Sequence, residues 1–339
     1  MSGSDPALYP LTFKPTLRDY VWGGRNLETV LGRTLPAGNI AESWEISGHR
    51  TAPTRVEGGY WDGTPLPDVL AALGERLVGR NAAGMLARAK FPLLIKILDA
   101  QSNLSVQVHP DDAFAAAHEG GDLGKVECWY VLHAKPGAQL IYGLSRPTTP
   151  EAFRQAIDNH TLHELLHTVS IAEGDVVFLP AGTVHALLAG VMVIEIQQNS
   201  DSTYRVYDWD RLGNDGKPRP LHVDKALAVI DWQMVRPPLT QPRLLSQAAG
   251  VTHWELVRCP QFALDKIELA PGATYEDSCR GDTFAIWGCV AGQATLSWAG
   301  APVALPRVKF ALLPAALGDY TLQANKPTML LHAWVPPGN

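Results

Sequence analysis

The sequence predicts a mainly β protein of two β-barrel domains with a few accessory helices. Glycine and proline are plentiful, with 30 and 26 residues in a chain of 339. Short apolar runs repeatedly end at these turn-forming residues, a pattern typical of an all-β barrel or sandwich. Helical periodicity, in contrast, is confined to two stretches. The clearest strand candidates are residues 93–98, 129–133, 139–142, 175–179, 191–197, 284–290, 294–298, 309–313 and 329–334.

Two helical segments interrupt the predicted strands. The first lies within about residues 65–90, where the apolar residues of positions 69–77 recur at the spacing of a helix face. The second covers about residues 149–167, where Thr149 suits the N-cap and Pro150 suits the first helical position. We therefore expect helical insertions at both places.

A proline cluster marks the expected domain boundary. Pro237 and Pro238 are adjacent, and Pro242 follows closely. Proline cannot continue a helix or donate a hydrogen bond within a central strand, so regular structure is expected to stop here. The sequence predicts a larger domain over residues 1–238 and a smaller β domain over residues 239–339.

Composition excludes several classes of function. The formal net charge is -6 without a long basic run, which argues against nucleic acid or an anionic membrane as a partner. No signal-peptide pattern opens the chain, and no stretch approaches the roughly 20 apolar residues of a membrane span. The four cysteines form no CxxC pair, so neither a disulfide framework nor a thiolate zinc site is indicated. We expect a cytoplasmic protein, either a monomer or a weak homodimer.

Two short strands carry the first metal-ligand candidates. Side chains alternate across a strand, so residues two apart share a face. Gln107 and His109 can therefore point at one centre, and Lys125 and Glu127 can share another face. Alone, a Gln-x-His pair in a strand is more often a polar edge pair than a set of ligands.

The third segment is more specific. Residues 174–185 read GDVVFLPAGTVH and fit the second cupin motif, G-x5-P-x-G-x2-H, at every fixed position. Its glycines and proline shape the turns that return a strand, and His185 is the ligand that this strand delivers. Three such segments in cupin order predict a jelly-roll barrel with a metal centre.

The expected ligand set indicates the type of metal. Two imidazoles, one carboxylate and one amide oxygen suit zinc or another borderline divalent ion, with one ion per chain. So few protein ligands leave positions for water or substrate, as in catalytic sites. Gln107 stands where most cupins have a histidine, which favours a redox-inert ion. The segment LLPAALGDY lacks the corresponding histidine, so the C-terminal domain is expected to hold no metal.

The chain further resembles the type I mannose-6-phosphate isomerases, especially their short bacterial forms, over most of residues 11–211. The resemblance implies two cupin-type (jelly-roll) β-barrels and interconversion of mannose 6-phosphate and fructose 6-phosphate through a cis-enediol. It also implies the metal ligands Gln107, His109, Glu127 and His185. The matching segments are YVWGG, AESWEIS, FPLLIKILDAQSNLSVQVHPDD, GKVECWYVL, PAGTVHAL and IEIQQNSDSTYRVYDWDR.

Other residues acquire roles from the resemblance. Arg205 matches the active-site arginine of the family and would stabilise the enediolate, although an ion pair with a neighbouring aspartate is the alternative. Glu195 is the candidate base, with orientation of His185 as the alternative. The catalytic candidates are Arg205, Glu195 and Lys125, and the substrate-binding candidates are Ser105, Lys96, Trp44, Glu45, Trp22 and Arg211. Solvated edge positions for the lysines and core packing for the tryptophans are the competing interpretations.

Two other functions stay open at this point. Cupins with open metal sites include iron oxygenases, but these favour histidine-rich ligation, which Gln107 does not continue. A non-enzymatic sugar-binding or regulatory cupin would bind sugar without turnover, and the complete ligand set with Arg205 argues against it. The favoured partner is therefore a small sugar phosphate.

Overall fold

The structure is a computed structural model that describes residues 8–213 and 216–338. Strands are the dominant element along the chain. They are β1 (Leu11–Lys14), β2 (Thr16–Arg18), β3 (Glu42–Ser47), β4 (Arg55–Val56), β5 (Leu93–Ala100), β6 (Val106–Val108), β7 (Glu127–Ala134), β8 (Gln139–Leu144), β9 (Leu166–Ser170), β10 (Val176–Leu179), β11 (His185–Leu187), β12 (Val191–Gln198), β13 (Tyr204–Tyr207), β14 (Arg243–Ala248), β15 (Val251–Arg258), β16 (Ala263–Leu269), β17 (Thr274–Cys279), β18 (Ala285–Ala291), β19 (Gln293–Ser297), β20 (Val303–Pro306), β21 (Phe310–Leu313), β22 (Gly318–Ala324) and β23 (Thr328–Trp334).

Short helices occupy the segments between some of these strands. The α-helices are α1 (Asn26–Thr29), α2 (Leu66–Leu73), α3 (Glu75–Val78), α4 (Asp112–His118), α5 (Pro150–Asp158) and α6 (Val223–Val229), and 3-10 helices cover Arg80–Arg88 and Leu162–Leu165. Helix α5 begins as its sequence predicts, because the Thr149 hydroxyl accepts a hydrogen bond from the Ala152 amide at 3.2 Å. Among the described residues, no helix has both the length and the apolar character that crossing a membrane requires.

The chain divides into two compact units by its internal contacts. The first unit comprises residues 8–16, 44–95 and 241–338, and the second comprises residues 17–43 and 96–240. One boundary lies at the predicted proline cluster, but two N-terminal segments group with the C-terminal part of the chain. The division into domains 1–238 and 239–339 stays a prediction.

Each unit is built around two sheets. In the second unit, a five-stranded sheet has the order β13-β6-β11-β8-β9. A six-stranded sheet has the order β10-β7-β12-β5-β3-β2, and its last three strands include residues on both sides of a unit boundary. A core of buried apolar side chains from β5, β7, β8, β10, β11 and β12 lies between the two sheets. This arrangement brings the inward-facing residues of both sheets together.

The first unit has the same plan. An eight-stranded sheet runs β14-β15-β16-β23-β18-β21-β1-β4, and a four-stranded sheet runs β17-β22-β19-β20. Their inner faces meet in a core that includes Trp287, Leu296, Leu313 and Leu322. The predicted mainly β fold with accessory helices is therefore confirmed. Within the described residues the sheets stay open, so each expected barrel is realised as two sheets packed face to face.

Candidate metal centre

Four neighbouring strands bring one row of side chains together. In the five-stranded sheet, Gln107 on β6 is the cross-strand partner of Arg205 on β13 and of His185 on β11. His185 in turn faces Tyr142 on β8. Directly paired residues of an antiparallel sheet project from the same face. Arg205, Gln107, His185 and Tyr142 therefore line one side of the sheet, in that order.

A second row comes from the six-stranded sheet. Glu127 on β7 pairs with Gln197 on β12, and Trp129 pairs with Glu195 two residues further along. The alternation of a strand places both pairs on one face. The sequence predicted a shared face only for Lys125 and Glu127, and it could not show that Glu195 lies on the same side of the sheet as Glu127.

The two rows converge on a buried cluster. Ligand atoms of His109, Glu127 and His185 lie within 4.8 Å of one another, and these residues are only 2%, 0% and 1% exposed. Nε2 of His109 is 3.5 Å from Glu127 Oε1, and Nε2 of His185 is 3.4 Å from Glu127 Oε2. The Gln107 amide is 3.4 Å from His185 Nε2. All four predicted metal ligands are therefore gathered at one point.

Backbone carbonyls orient both imidazole rings. Nδ1 of His109 donates to the Ser202 carbonyl at 2.9 Å, and Nδ1 of His185 donates to the Thr183 carbonyl at the same distance. Because a carbonyl can only accept, we assign the proton of each neutral ring to Nδ1. Each Nε2 then turns a lone pair towards the Glu127 carboxylate. Fixing the far nitrogen in this way is the usual support of a metal-ligating histidine.

The charges of the cluster fit a cation. Burial lowers the pKa of His109 well below its usual value, and Lys125 and His185 lower it further. Burial also lowers the pKa of His185, although Glu127 opposes this effect. Burial raises the pKa of Glu127, but Lys125 and His185 outweigh it, so the net pKa is below the usual value. An ionised carboxylate thus faces two neutral lone pairs, an arrangement that a bound divalent cation stabilises.

Gly182 fixes the turn that delivers His185. Its amide donates to the His109 carbonyl at 2.9 Å, and its φ of +85° lies in the left-handed region. A Cβ at this position would lie 2.8 Å from the Val229 carbonyl oxygen. Only glycine meets both conditions, which explains why the motif G-T-V-H begins with this residue.

Lys125 lies inside the cluster. Its ammonium forms an ion pair with Glu127 Oε1 and is 3.3 Å from Nε2 of His109. The sequence predicted that Lys125 and Glu127 share a face, and the structure places them in contact. Its catalytic role stays a prediction.

Glu195 is held by a different set of groups. Trp129 Nε1 donates to its Oε2 at 2.8 Å, and the Lys96 ammonium is 3.3 Å from its Oε1. Lys96 also lies 4.0 Å from Glu42. Since the His185 Nδ1 proton goes to a backbone carbonyl, Glu195 does not orient this ring as the alternative interpretation required. Lys96, predicted to bind substrate, directs its charge at two carboxylates.

Arg205 is free of carboxylate partners. No ion pair joins it to an aspartate or glutamate of the described residues, and its Nη1 donates instead to the Pro220 carbonyl at 3.0 Å. Its buried Nε finds no acceptor among the residues of that same part of the chain. Burial lowers the pKa of Arg205, and Arg219 adds to the effect. The structure thus shows no structural ion pair for Arg205.

Asp208 forms ion pairs with two other arginines. Arg211 Nη2 lies 2.8 Å from Asp208 Oδ1, and Arg219 Nε donates to Oδ2 at 2.7 Å. Sequence analysis singled out Arg211 but not Arg219, because Arg219 lies beyond the matching motif. With Arg205, the group has three positive charges and one negative charge.

The remaining predicted residues are buried. Ser105 lies beside Gln107, with its hydroxyl 3.5 Å from Oε1. Trp22 belongs to the apolar core of the second unit. Trp44 packs with Ala52 and Leu94 in the first unit, and Glu45 is buried in the same strand. Substrate binding by these residues stays a prediction.

Gln197 was missed by the sequence analysis, although it lies next to Glu127. It is fully buried, and its Nε2 donates to the carbonyls of Gln198 and Ser200 at 2.7 and 2.8 Å. These bonds hold the segment that presents the Ser202 carbonyl to His109. Nothing in an apolar strand such as VMVIEIQQ distinguishes this glutamine from a surface residue.

Replacing Gln197 with leucine should weaken metal binding by about tenfold, because groups that support metal ligands typically contribute this much. Competition with a chromophoric chelator would measure the change. His163→Ala, at an exposed position, is the matched control and should bind metal normally. Unchanged affinity in Gln197→Leu would show that the 198–202 segment holds its conformation without this side chain.

The chain is similar to a known family of enzymes. A family model described as "Phosphomannose isomerase type I, catalytic domain" matches residues 11–123. The probable mannose-6-phosphate isomerase GmuF of Bacillus subtilis is 43% identical over 222 residues, which are 66% of this chain and 68% of that protein. The mannose-6-phosphate isomerase ManA of the same organism is 42% identical over 222 residues, which are again 66% of this chain and 68% of that protein.

A solved structure extends the likeness to nearly the whole chain. The crystal structure of the mannose 6-phosphate isomerase from Bacillus subtilis superposes with a TM-score of 0.85 at 32% identity, and the match covers 96% of this chain and 99% of that one. The putative mannosephosphate isomerase from Archaeoglobus fulgidus, at 21% identity and a TM-score of 0.74, shares the fold. The chain with the buried His109–Glu127–His185 centre therefore belongs to the type I phosphomannose isomerase family.

Proposed function

We propose that this protein is a zinc-dependent aldose-ketose isomerase that interconverts D-mannose 6-phosphate and D-fructose 6-phosphate through a cis-enediol. One observation carries the proposal: a cluster of two buried imidazoles and one carboxylate includes His185, and His185 lies on the same sheet face as Arg205. Family membership supplies the substrate, because the relatives at 42–43% identity are named for mannose 6-phosphate.

Zinc is the proposed metal, held by Gln107, His109, Glu127 and His185. Two nitrogens and two oxygens form a donor set of borderline softness that suits Zn²⁺, and other divalent ions can substitute. When bound, such an ion acts as a Lewis acid that stabilises negative charge on substrate oxygens. A half-turn of the Gln107 amide exchanges its oxygen and nitrogen, so either end can face the cluster.

Arg205 is the proposed contact of the enediolate. Removing a proton from the carbon beside a carbonyl leaves negative charge on the carbonyl oxygen. The Arg205 Nε–H has no acceptor among the described residues and can donate to this oxygen. A buried, permanently charged donor is most effective where charge develops in the transition state.

Glu195 is the proposed proton carrier. Trp129 and Lys96 each approach one of its oxygens, and a carboxylate with two oxygens retains further lone pairs for a substrate proton. These two contacts fix the position of the carboxylate, which a general base must hold within reach of the substrate proton. Lys125, in contact with Glu127, is proposed to donate to substrate oxygens.

The arginine cluster at Asp208 is the proposed phosphate site. Arg211 and Arg219 both contact Asp208 and together leave one net positive charge. Their guanidinium groups can bind a phosphate through paired hydrogen bonds.

Replacing Arg219 with glutamine should raise KM for mannose 6-phosphate by about tenfold or more, with a smaller change in kcat, because phosphate contacts are made equally in the ground and transition states. Steady-state kinetics measure the split. Arg154→Gln, which breaks an exposed ion pair with Asp224, is the control. An unchanged KM in Arg219→Gln would assign this arginine to structure alone.

A coupled assay tests the proposal as a whole. Fructose 6-phosphate formed from mannose 6-phosphate is measured on purified protein, after chelation and after zinc is restored. We expect turnover that chelation removes and zinc returns, and no turnover in Glu195→Gln with its zinc retained. Absence of turnover with every divalent metal would refute the isomerase assignment.

Assembly and location are proposed on composition alone. A net charge of -6 without a long basic run is compatible with a cytoplasmic enzyme whose partner is a small sugar phosphate. We propose a monomer or a weak homodimer. Light scattering across a range of protein concentrations tests this, and a concentration-independent larger oligomer would contradict it.

A further inference from the structure

The C-terminal part of the first unit contains a cavity of about 320 Å³. It is lined by side chains of β15, β16, β17, β22 and β23, so it lies between the eight-stranded and four-stranded sheets. Most of the space between these sheets is filled by apolar side chains. At this one end, the facing residues are polar.

One wall of the cavity is a row on the eight-stranded sheet. Asp265 on β16 is the cross-strand partner of His332 on β23, which is the partner of Trp287 on β18. The His332 ring stacks on Trp287 with 4.2 Å between centroids and 4° between planes. His253 Nε2 is 3.2 Å from Asp265 Oδ2. The row therefore presents one carboxylate and two imidazoles, with the indole ring of Trp287 packed beneath His332.

The opposite wall is a pair on the four-stranded sheet. Asp277 on β17 is the cross-strand partner of Tyr320 on β22, and the Tyr320 hydroxyl donates to Asp277 Oδ2 at 2.9 Å. Trp287 Nε1 reaches across from the first wall and donates to the Tyr320 oxygen at 3.1 Å. This bond ties the two walls together behind the cavity.

His332 leaves a buried hydrogen-bonding group for a ligand. The residue is 8% exposed and lines the cavity, and its Nε2 has no hydrogen-bond partner in the described part of the chain. Burial lowers the pKa of His332, against the opposing effect of Asp265 and Asp277. The neutral ring can donate from one nitrogen and accept at the other. Buried polar atoms usually have a partner, and this nitrogen is available to a ligand that enters the cavity.

The charge of the lining selects the ligand class. Asp265, Asp277 and Asp282 contribute three carboxylates, of which Asp282 is paired with Arg80, and Arg280 is the single arginine of the lining. A phosphate or another anion would be repelled. Among the described residues, only His109, Glu127 and His185 bring three metal-ligating atoms within 4.8 Å of one another, so the cavity is not built as a metal site.

Hydroxyl groups suit all of these features at once. They donate to carboxylates, exchange hydrogen bonds with a neutral imidazole, and leave C–H faces to pack on aromatic rings. The volume is at the lower end of the range of about 300–1,000 Å³ that is usual for small-molecule sites. We propose that this cavity binds an unphosphorylated, uncharged monosaccharide, at a site separate from the metal centre.

Saturation-transfer NMR on the full-length protein tests this site, with D-mannose, D-glucose and D-fructose as probes. At least one sugar should bind at millimolar concentration. His332→Phe keeps a ring on Trp287 but removes both nitrogens, and Asp277→Asn removes one charge without changing the shape. Both should weaken binding about tenfold or more, as expected for the loss of a buried hydrogen bond to a ligand, and both should retain isomerase turnover.

Two controls separate this site from the metal centre. Lys266→Gln changes the residue beside Asp265 that points to the other face of β16 and should bind sugar normally. Glu127→Gln disrupts the metal centre and should also bind sugar normally. The proposal is overturned if none of the three sugars binds, if both cavity variants bind as the unmodified protein does, or if Glu127→Gln abolishes binding.

Discussion

Replacing Arg205 with alanine should lower kcat by about 10²–10³-fold and leave the metal in place. Its Nε–H is a buried donor without an acceptor in the described residues, and removing one such donor from a site of developing negative charge typically has an effect of this size. The metal should stay because, among the described residues, the Arg205 side chain forms no hydrogen bond or ion pair with His109, Glu127 or His185.

The measurement combines two readouts on the same sample. Zinc content per chain should equal that of the unmodified protein, while kcat and kcat/KM fall together, as they do when an interaction specific to the transition state is lost. Arg154→Ala, which removes an exposed arginine in an ion pair on α5, should be fully active. A normal kcat in Arg205→Ala would remove this residue from the chemistry.

Replacing His109 with alanine, or Glu127 with glutamine, should abolish binding of the proposed zinc ion and turnover together. His109 offers one of two imidazole lone pairs, and Glu127 offers the only negative charge among the four proposed ligands. Glutamine has nearly the same shape as glutamate but no charge, so this variant separates the electrostatic contribution of Glu127 from its packing. Loss of one of few ligands from a buried site typically removes the metal altogether.

Metal analysis and thermal unfolding can both follow this loss. A chelator should lower the Tm of the unmodified protein, because a ligand that binds only the native state stabilises it. The same chelator should leave the Tm of Glu127→Gln unchanged, since there is no metal to remove. His163→Ala, an exposed histidine of a 3-10 helix, should behave like the unmodified protein. Full activity of either variant without metal would contradict the assigned ligand set.

Strand alternation was enough to predict which side chains of the metal centre share a face. Gln107 with His109, and Lys125 with Glu127, follow from a local property of each strand. The match to the second cupin motif added His185, and the structure gives a physical reason for the glycine of that motif: the positive φ and the close approach of Val229 admit no other residue. The predicted ligands therefore needed no knowledge of the sheet order.

A single sequence could not predict which residues of different strands would be neighbours. Lys96 was predicted to meet substrate, but its neighbours across the sheet are Glu195 and Glu42. Arg219 joins Arg211 at Asp208 only because the chain turns back after Arg211. Register is decided by tertiary pairing, and one-residue changes in pairing reverse the faces. Such partners appear only once the fold is known.

Several strands of the first unit were also missed. β14 is exposed at every residue, and β17 reads TYEDSC with a half-buried polar face. Neither has the apolar run that identifies a buried strand. The polar wall of the cavity comes from β17, so the feature that hid this strand from sequence analysis is the same one that makes the cavity hydrophilic.

The main-chain carbonyls that hold the rings of His109 and His185 affect which amino-acid substitutions the metal centre tolerates. The ring orientations depend on main-chain oxygens, which every amino acid supplies, and not on the side chains of Ser202 and Thr183. At the half-buried Ser202, substitutions can therefore alter size and polarity without rotating His109, provided that the local backbone path is kept. Thr183 is buried, so the space around it limits its replacement. An insertion or deletion in either segment would move the carbonyl itself.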